Sequence, residues 1–256
     1  MLAHDIFTAT QGADKPPLLI VHGLFGSGRN WGAIARRLAD RRDVWTVDLR
    51  NHGASPRADS QSYADMAADL AGVVAVMGGI GDVLGHSMGG KAAMVLALTQ
   101  GAMIRRLVIA DIAPVTYSHD NTHHIDAMRA LDLAGVTSRG EADRRLARNV
   151  ADPALRAFFL QSLDLKSIPP RWRLNFDVLE AEMPAIVGWP DTPGMFDHPT
   201  LFLSGDQSAY VLPEHRPAIL AQFPKARFAR INGAGHWLHA EQPRAFEETV
   251  RVFLDA

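Results

Sequence analysis

The sequence contains no cysteine among its 256 residues. This absence excludes disulfide bonds, thiolate metal sites and cysteine nucleophiles, and it fits a reducing compartment. No apolar run approaches the ~18 residues of a membrane helix, so we expect no membrane span. The 26 lysines and arginines nearly balance the 28 aspartates and glutamates, which leaves a formal charge of −2. So small a charge provides no field that would attract nucleic acid.

Targeting and repeat signals are also missing from the sequence. Residues 1–10 carry neither the basic region nor the long apolar run of a signal peptide, so we expect a cytoplasmic location. Internal repeats and low-complexity segments are absent as well. A length of 256 residues with 47% hydrophobic content suits one large domain, or one domain with an insertion. The oligomeric state stays open.

A Gly-x-Ser-x-Gly motif stands at residues 85–89, between a short apolar strand and an Ala/Met/Leu-rich helix. This context is typical of a nucleophile elbow, in which a strained turn exposes a serine hydroxyl. The motif predicts Ser87 as the nucleophile, with Gly85 and Gly89 leaving room for strand and helix to approach. The helix points its free N–H groups at the same spot, so the N–H of Met88 can help to hold an oxyanion. The alternative interpretation is a glycine-rich turn of an ordinary α/β protein.

A second loop with hydrolase character follows an apolar strand at residues 17–23. The segment His22-Gly23-Leu24-Phe25-Gly26 matches the loop that supplies the other oxyanion donor in serine hydrolases of this layout. We assign that donor to the backbone N–H of Leu24. The alternative is a plain strand-to-helix turn, but the presence of two such loops in one chain favours the functional interpretation.

Apolar runs alternate with helical patterns along the chain, which predicts a mostly parallel sheet with helices on both faces. The expected strands lie at residues 2–10, 17–23, 43–49, 82–86, 106–110, 199–205 and 226–231. Residues 112–198 contain helical stretches and no convincing buried strand, so we predict a helical cap inserted over the carboxyl edge of the sheet. The α/β core then comprises residues 1–111 and 199–256.

The candidate acid and base follow two of these strands. Asp111 comes directly after strand 106–110, and His236 lies in a glycine-rich loop after the last strand. A right-handed crossover usually joins neighbouring strands, so strand 106–110 should lie about 4.8 Å from strand 82–86. Asp111 and Ser87 then stand at the carboxyl ends of adjacent strands, where ligands bind in open α/β sheets. The order serine, acid, histidine along the chain is the one expected of this hydrolase layout.

Other histidines have plainer interpretations. His52 lies in a polar loop with no positioned partner in the sequence, so we interpret it as structural. His239 lies in the segment that leads to the last helix, so we interpret it as a packing residue or a surface contact. His119 and His123 have a spacing that fits one helix face, but no third ligand is evident, so we predict no metal site.

Eight stretches of the chain, taken in order, resemble the α/β-hydrolase superfamily, and more narrowly the YbfF-like bacterial esterases and related mitochondrial abhydrolases. They are His22-Gly23-Leu24-Phe25-Gly26-Ser27, Asp48-Leu49-Arg50-Asn51-His52-Gly53, Gly85-His86-Ser87-Met88-Gly89-Gly90-Lys91, Asp111-Ile112-Ala113-Pro114-Val115, Trp172-Arg173-Leu174-Asn175, Ile186-Val187-Gly188-Trp189, Asp197-His198-Pro199 and Gly233-Ala234-Gly235-His236-Trp237. The resemblance implies an α/β-hydrolase fold with a mostly parallel eight-stranded sheet, a helical cap and no cofactor. It also implies a nucleophile, an acid, a base and two oxyanion donors at Ser87, Asp111, His236, Leu24 and Met88.

The position of the acid departs from the pattern of many α/β hydrolases. Those enzymes place it after the strand equivalent to residues 200–204, three residues beyond the glycine, where this chain has Ser208. Asp206, one residue beyond Gly205, is a rival acid with the wrong offset. We favour Asp111 over Asp206.

The resemblance implies a serine hydrolase that cleaves esters or thioesters of small to medium acyl groups through an acyl-enzyme. A small-molecule ester or acyl thioester is then its only expected partner. The alternatives are a C–C bond hydrolase or perhydrolase of the same fold, and a ligand receptor that keeps the triad with little turnover. We expect Phe25, Trp237 and Trp189 to line the pocket.

Overall fold

A seven-stranded sheet forms the centre of the protein in the computed structural model, which describes residues 1–256. The strands of the chain are β1 (His4–Phe7), β2 (Leu18–Val21), β3 (Val44–Val47), β4 (Gly81–His86), β5 (Ile104–Ala110), β6 (Leu163–Asp164), β7 (Arg171–Trp172), β8 (Thr200–Gly205) and β9 (Ala226–Ile231). The order in the large sheet is β1-β3-β2-β4-β5-β8-β9. Strand β1 is antiparallel to β3, and all the other pairs are parallel.

The predicted strands all occur in this sheet, and β4 lies beside β5 as expected. The sheet has seven strands, so the eight strands that the resemblance implied were wrong. One strand, β1, precedes β2 in the chain. Strands β2, β3, β4 and β8 are buried along their whole length. Their continuous apolar character therefore reflects helices packed on both faces of the sheet.

Eleven α-helices surround the sheet. They are α1 (Gly32–Leu38), α2 (Tyr63–Val76), α3 (Met88–Gln100), α4 (Thr122–Arg129), α5 (Arg139–Leu146), α6 (Pro153–Leu160), α7 (Phe176–Ala181), α8 (Met183–Val187), α9 (Arg216–Gln222), α10 (Leu238–Glu241) and α11 (Pro243–Asp255). Helices α1 and α11 share one apolar cluster with one face of the sheet. Helices α2, α3 and α9 share a larger cluster on the other face. None of these helices is long and apolar enough to cross a membrane.

The segment between β5 and β8 contains α4 to α8 and the two-stranded pair β6–β7. The sequence predicted only helices here, so the small strand pair was missed. Residues 173–186, which have the sequence pattern of one helical stretch, form two short helices, α7 and α8, which meet at Glu182. Pro184 explains the break, because proline fits the first turn of a new helix and disrupts a helix interior.

Candidate active site

Ser87 stands on the turn between β4 and α3 with φ 51° and ψ −123°. A positive φ is uncommon for a residue with a side chain, and here it lifts the hydroxyl out of the backbone at the start of the helix. The two glycines of the motif are required by close packing. A Cβ on Gly85 would lie 2.4 Å from the Gly89 carbonyl oxygen, and one on Gly89 would lie 2.2 Å from the His22 carbonyl oxygen.

The structure brings Ser87, His236 and Asp111 together in one hydrogen-bonded line. His236 Nε2 lies 3.1 Å from Ser87 Oγ, and His236 Nδ1 lies 2.7 Å from Asp111 Oδ2. The carboxylate accepts the Nδ1–H, which leaves Nε2 free to accept the serine proton. Asp111 is fully buried, with φ 53° in the turn directly after β5. This arrangement matches the geometry of a nucleophile, base and acid.

Two further groups hold the Asp111 carboxylate. The Gly205 N–H donates to Oδ1 at 3.2 Å, and the Ser208 hydroxyl donates to Oδ2 at 2.5 Å. Asp206, the rival acid, lies elsewhere and accepts the N–H of Gly233 at 2.8 Å. The sequence argument dismissed Ser208 as an acid and did not give it a role. Ser208 stands at the offset where many α/β hydrolases carry the acid. This offset was the sequence signal that could have placed Ser208 beside the pair of Asp111 and His236.

The loop formed by residues 23–26, which we call the Gly23 loop, lies against Ser87. A Cβ on Gly23 would lie 3.1 Å from Ser87 Cβ. The Leu24 N–H has no hydrogen-bond acceptor within the protein, whereas the Phe25 N–H donates to His52 Nε2 at 3.2 Å. The N–H of Met88 opens α3 and has no acceptor within that helix. Leu24 and Met88 thus have N–H groups available near Ser87.

His22 fixes the peptide group that carries the Leu24 N–H. Its Nδ1–H donates to the Gly23 carbonyl oxygen at 2.7 Å, and its Nε2 accepts the Leu49 N–H at 2.9 Å. Burial lowers the pKa of His22 to about 4 and the pKa of His52 to about 3, so both rings are neutral at pH 7. His52 also donates its Nδ1–H to the Arg50 carbonyl. His52 therefore has a structural position, as the sequence suggested, with both ring nitrogens satisfied.

Aromatic rings enclose the His236 imidazole. Tyr210 stacks on it with ring centroids 4.0 Å apart and an interplanar angle of 22°. His86 lies 4.8 Å away, and its Nε2–H donates to the His236 carbonyl oxygen at 2.9 Å. His239 packs behind, stacked on Trp31 at 4.0 Å. The loop that carries His236 is thus held by side chains that sequence reasoning did not connect to it, because their contacts are tertiary.

A cavity of about 290 Å³ opens above Ser87. Phe25 and Trp237 line it as predicted, but Trp189 does not, and the neighbouring Ile186 and Val187 take that position. The backbone N–H of Trp189 instead donates a hydrogen bond to the Thr116 hydroxyl. Apolar side chains supply most of the wall, so the cavity can hold an acyl chain.

Lys91 lies almost completely buried beside the cavity and has no carboxylate partner. Its ammonium donates to the carbonyl oxygens of Val187 at 2.9 Å and Gly188 at 2.5 Å, where α8 ends. The Tyr117 ring lies 4.8 Å from the Lys91 Nζ. Burial lowers the pKa of Lys91 to about 7. Helix α3 therefore anchors the segment between β5 and β8 through the amino group of one buried lysine.

The histidines at residues 119–124 form no metal centre. The expectation that His119 and His123 share a helix face was wrong, because α4 begins only at Thr122. His119 Nε2 lies 3.2 Å from the Tyr210 hydroxyl, and the Asp120 carboxylate caps Thr122. No group of three metal-ligating side chains occurs in the structure.

Comparisons with known proteins identify the family of this chain. A sequence profile of the alpha/beta hydrolase family matches residues 18–249. The chain is 39% identical to "Esterase YbfF" of Escherichia coli (strain K12) over 251 residues, which cover 97% of this chain and 96% of that protein. It is 37% identical to "sn-1-specific diacylglycerol lipase ABHD11" of Danio rerio over 263 residues, covering 99% and 82% of the two chains.

The solved structures include one titled "Marine microorganism esterase". It superimposes with a TM-score of 0.91, is 35% identical to this chain and covers 98% of each chain. The family match and the relatives both span nearly all of the sequence. The chain therefore belongs to the alpha/beta hydrolase family and is a hydrolase.

Proposed function

We propose that this enzyme hydrolyses carboxylic esters of small to medium acyl groups through an acyl-enzyme on Ser87. The observation that carries the proposal is the line of hydrogen bonds from Ser87 Oγ through His236 to the buried Asp111. The printed names of the relatives, an esterase and a diacylglycerol lipase, support ester substrates. The cavity of about 290 Å³ is small for a ligand site, since typical sites hold about 300–1,000 Å³.

In the first half-reaction Ser87 Oγ attacks the carbonyl carbon of the ester while His236 Nε2 takes its proton. The carbonyl oxygen becomes an oxyanion, which the N–H groups of Leu24 and Met88 bind. Collapse of this tetrahedral intermediate breaks the C–O bond, and the imidazolium returns the proton to the departing alcohol. Asp111 holds the ring in the required tautomer and stabilises its positive charge.

In the second half-reaction a water molecule attacks the acyl-enzyme. His236 removes the water proton, and a second oxyanion forms in the same place. Its collapse frees the carboxylic acid and returns the proton to Ser87. Thioesters pass through the same tetrahedral intermediate, so the substrates to be tested include acyl thioesters. Residues 112–198 would act as the cap that closes over the acyl chain, and residues 1–111 and 199–256 as the core.

The test compares the wild type with Ser87→Ala on p-nitrophenyl esters from acetyl to palmitoyl and on the matching acyl-CoA thioesters. We expect turnover that disappears in Ser87→Ala, with an optimum at short or medium chains. Ser167→Ala is a matched control, since this serine only donates to a nearby backbone carbonyl. A fluorophosphonate should label the wild type and not Ser87→Ala. Turnover that survives in Ser87→Ala would refute the proposal.

A further inference from the structure

Phe25, the residue after Leu24 in the Gly23 loop, is held in an unusual backbone conformation. Its φ is 64°, in the left-handed region that residues other than glycine seldom adopt. Such a conformation is energetically unfavourable for a residue with a side chain, so it persists only where surrounding contacts enforce it. The contacts of Phe25 therefore determine the shape of the loop beside the nucleophile.

The backbone N–H and the carbonyl oxygen of Phe25 both form hydrogen bonds with side chains. Its N–H donates to His52 Nε2 at 3.2 Å, and its carbonyl oxygen accepts the Ser162 hydroxyl at 2.8 Å. Its ring meets Phe159 edge-on, with centroids 5.6 Å apart, and lies 6.5 Å from His124. His52 comes from the loop after β3. Ser162, Phe159 and His124 come from the segment between β5 and β8, which is the proposed cap.

A second bond joins the same two parts of the molecule. The Gln161 side chain accepts a hydrogen bond from Asn30 Nδ2 at 2.7 Å. The other side-chain atom of Asn30, Oδ1, accepts the Ser27 N–H at 2.6 Å and so fixes the end of the loop. Of two consecutive residues after α6, Ser162 thus bonds to the Gly23 loop itself, and Gln161 bonds to the side chain that holds Ser27, the residue after the loop.

We infer that Ser162 is a positioning residue for the oxyanion hole, supplied by the cap. Its hydroxyl, together with His52, holds Phe25 in the left-handed conformation that keeps the preceding Leu24 N–H directed at the reacting carbonyl. The inference rests on the proposed function. It means that stabilisation of the transition state depends on the cap being docked, although no cap atom touches the oxyanion.

Ser162 has a chemistry suited to this task. It is buried, with 3% of its surface exposed, so water cannot replace its hydrogen bond. The Ser162→Ala substitution leaves the Phe25 carbonyl without a partner, and the strained loop can then relax. A loss of alignment at an oxyanion donor affects the transition state more than the bound substrate. The expected signature is therefore a change in kcat with little change in KM.

The experiment measures kcat and KM of Ser162→Ala on a p-nitrophenyl ester, and the inhibition constant of a trifluoromethyl ketone, whose adduct with a serine carries an oxyanion. We expect kcat to fall about tenfold, the inhibition constant to rise about tenfold and KM to change less than twofold. Ser167→Ala is the matched control and should behave as wild type. An inhibition constant equal to that of wild type in a folded Ser162→Ala would overturn the inference.

Two further arms keep the result interpretable. If Ser162→Ala does not fold, Ser162→Cys keeps the side-chain volume with a weaker donor, and an unchanged inhibition constant there would also overturn the inference. Failure of the proposed function looks different: the ketone would not inhibit the wild type, or Ser87→Ala would retain turnover. If the ketone inhibits the wild type and Ser162→Ala with the same inhibition constant, only the role of Ser162 is refuted, and the proposed function stands.

Discussion

The two edges of the sheet differ in the charge of their buried polar side chains. At the carboxyl edge, where Ser87 stands, four buried histidines lie within the core: His22, His52, His86 and His239. Burial lowers the pKa of each, to about 4 for His22, to about 3 for His52 and His239, and well below the usual value for His86. These rings are uncharged at neutral pH. They act as hydrogen-bond donors and acceptors or as packing surfaces.

At the amino edge the buried groups are charged and paired. Asp82, at the start of β4, is fully buried and accepts hydrogen bonds from Arg42 at 3.1 Å and from Arg105 at 2.9 and 2.7 Å. Arg42 also pairs with Asp255 in the last turn of α11. Arg105 donates to the Leu254 carbonyl as well. This network ties β4, β5 and the last helix together far from the nucleophile.

The difference separates catalysis from stability. A fixed charge at the carboxyl edge would act on the oxyanion and the imidazolium that form during the reaction, and the carboxylate that contacts His236 there is Asp111. Neutral imidazoles can position backbone groups without adding such a charge. At the amino edge no charge develops during the reaction, so paired ions can connect the elements. Substitutions at the two edges should therefore affect different measurements.

The largest effect is expected from Asp111→Asn. The amide keeps the volume of the carboxylate but cannot stabilise the imidazolium, so kcat on a p-nitrophenyl ester should fall about 10⁴-fold, as in other triads of this kind. Asp206→Asn is the matched control, because Asp206 only accepts the Gly233 N–H. If Asp206→Asn lost activity while Asp111→Asn kept it, the assignment of the acid would be wrong.

Asp82→Asn should produce the reverse result. It removes the buried carboxylate that Arg42 and Arg105 share. Because Arg42 keeps Asp255 and Arg105 is one-third exposed, the loss of unfolding free energy should lie below the about 3–5 kcal/mol that is typical of a buried charge left without a partner. Urea denaturation measures that loss, while kcat of the folded variant should stay at the wild-type value. The control is Asp14→Asn, which breaks an exposed pair with Arg41 and should cause no measurable change. A large loss of kcat in folded Asp82→Asn would contradict the separation of the two edges.

The sequence predicted one edge better than the other parts of the molecule. Ser87 and Asp111 each directly follow a largely buried apolar strand, and His236 lies in the loop after the edge strand β9. The carboxyl ends of parallel strands necessarily meet at one edge of the sheet. The spacing of apolar residues and the glycines therefore carried the information. The contacts of His22 and His52 with the Gly23 loop carried no such signal, since His52 is 27 residues from the Phe25 N–H that it accepts.

The segment between β5 and β8 was predicted least well. Strands β6 and β7 have two residues each, too few for an alternating pattern to be recognised. Their position depends on contacts with the core instead. One such contact is the hydrogen bond from the Gly53 N–H to the Arg173 carbonyl at 2.8 Å, and another is the bridge between His52 and Leu174. Local periodicity cannot reveal pairings of this kind.

A third experiment tests the neutral histidines through acid stability. The folded-state pKa of His239 is about 3 and its unfolded value is about 6.5, so the unfolded chain binds a proton that the folded chain does not. Stability should therefore fall as pH drops from about 6.5 towards 3, by up to about 1.4 kcal/mol per pH unit for each such group.

His239→Leu should remove one of these protons. The slope of unfolding free energy against pH, measured by urea denaturation between pH 6 and 4, should then be about 1.4 kcal/mol per pH unit smaller than in wild type. Val252→Leu, at an exposed apolar position of α11, changes no titratable group and serves as the control. An identical slope in His239→Leu and wild type would show that folding does not lower the pKa of His239.

The smallest effect is expected at Ser208, which contacts the carboxylate of Asp111. The Ser208 hydroxyl donates to Asp111 Oδ2 and accepts the Tyr210 N–H at 3.2 Å, so it orients the carboxylate towards His236. Loss of one hydrogen bond to a charged group costs about 1.5–3 kcal/mol, but the Gly205 N–H remains as a donor to the same carboxylate. We therefore expect kcat of Ser208→Ala to fall about tenfold, with KM nearly unchanged.

A double-mutant cycle decides whether Ser208 acts through Asp111. If it does, Ser208→Ala should lower kcat about tenfold in the wild type and hardly at all when added to Asp111→Asn, because the carboxylate that it orients is then gone. Equal losses in both backgrounds would mean that Ser208 affects the reaction by another route, such as the Tyr210 ring that stacks on His236. Tyr210→Leu in each background would identify that route. Packing of the Tyr210 ring would then position His236, in place of the Asp111 carboxylate that we expect Ser208 to orient.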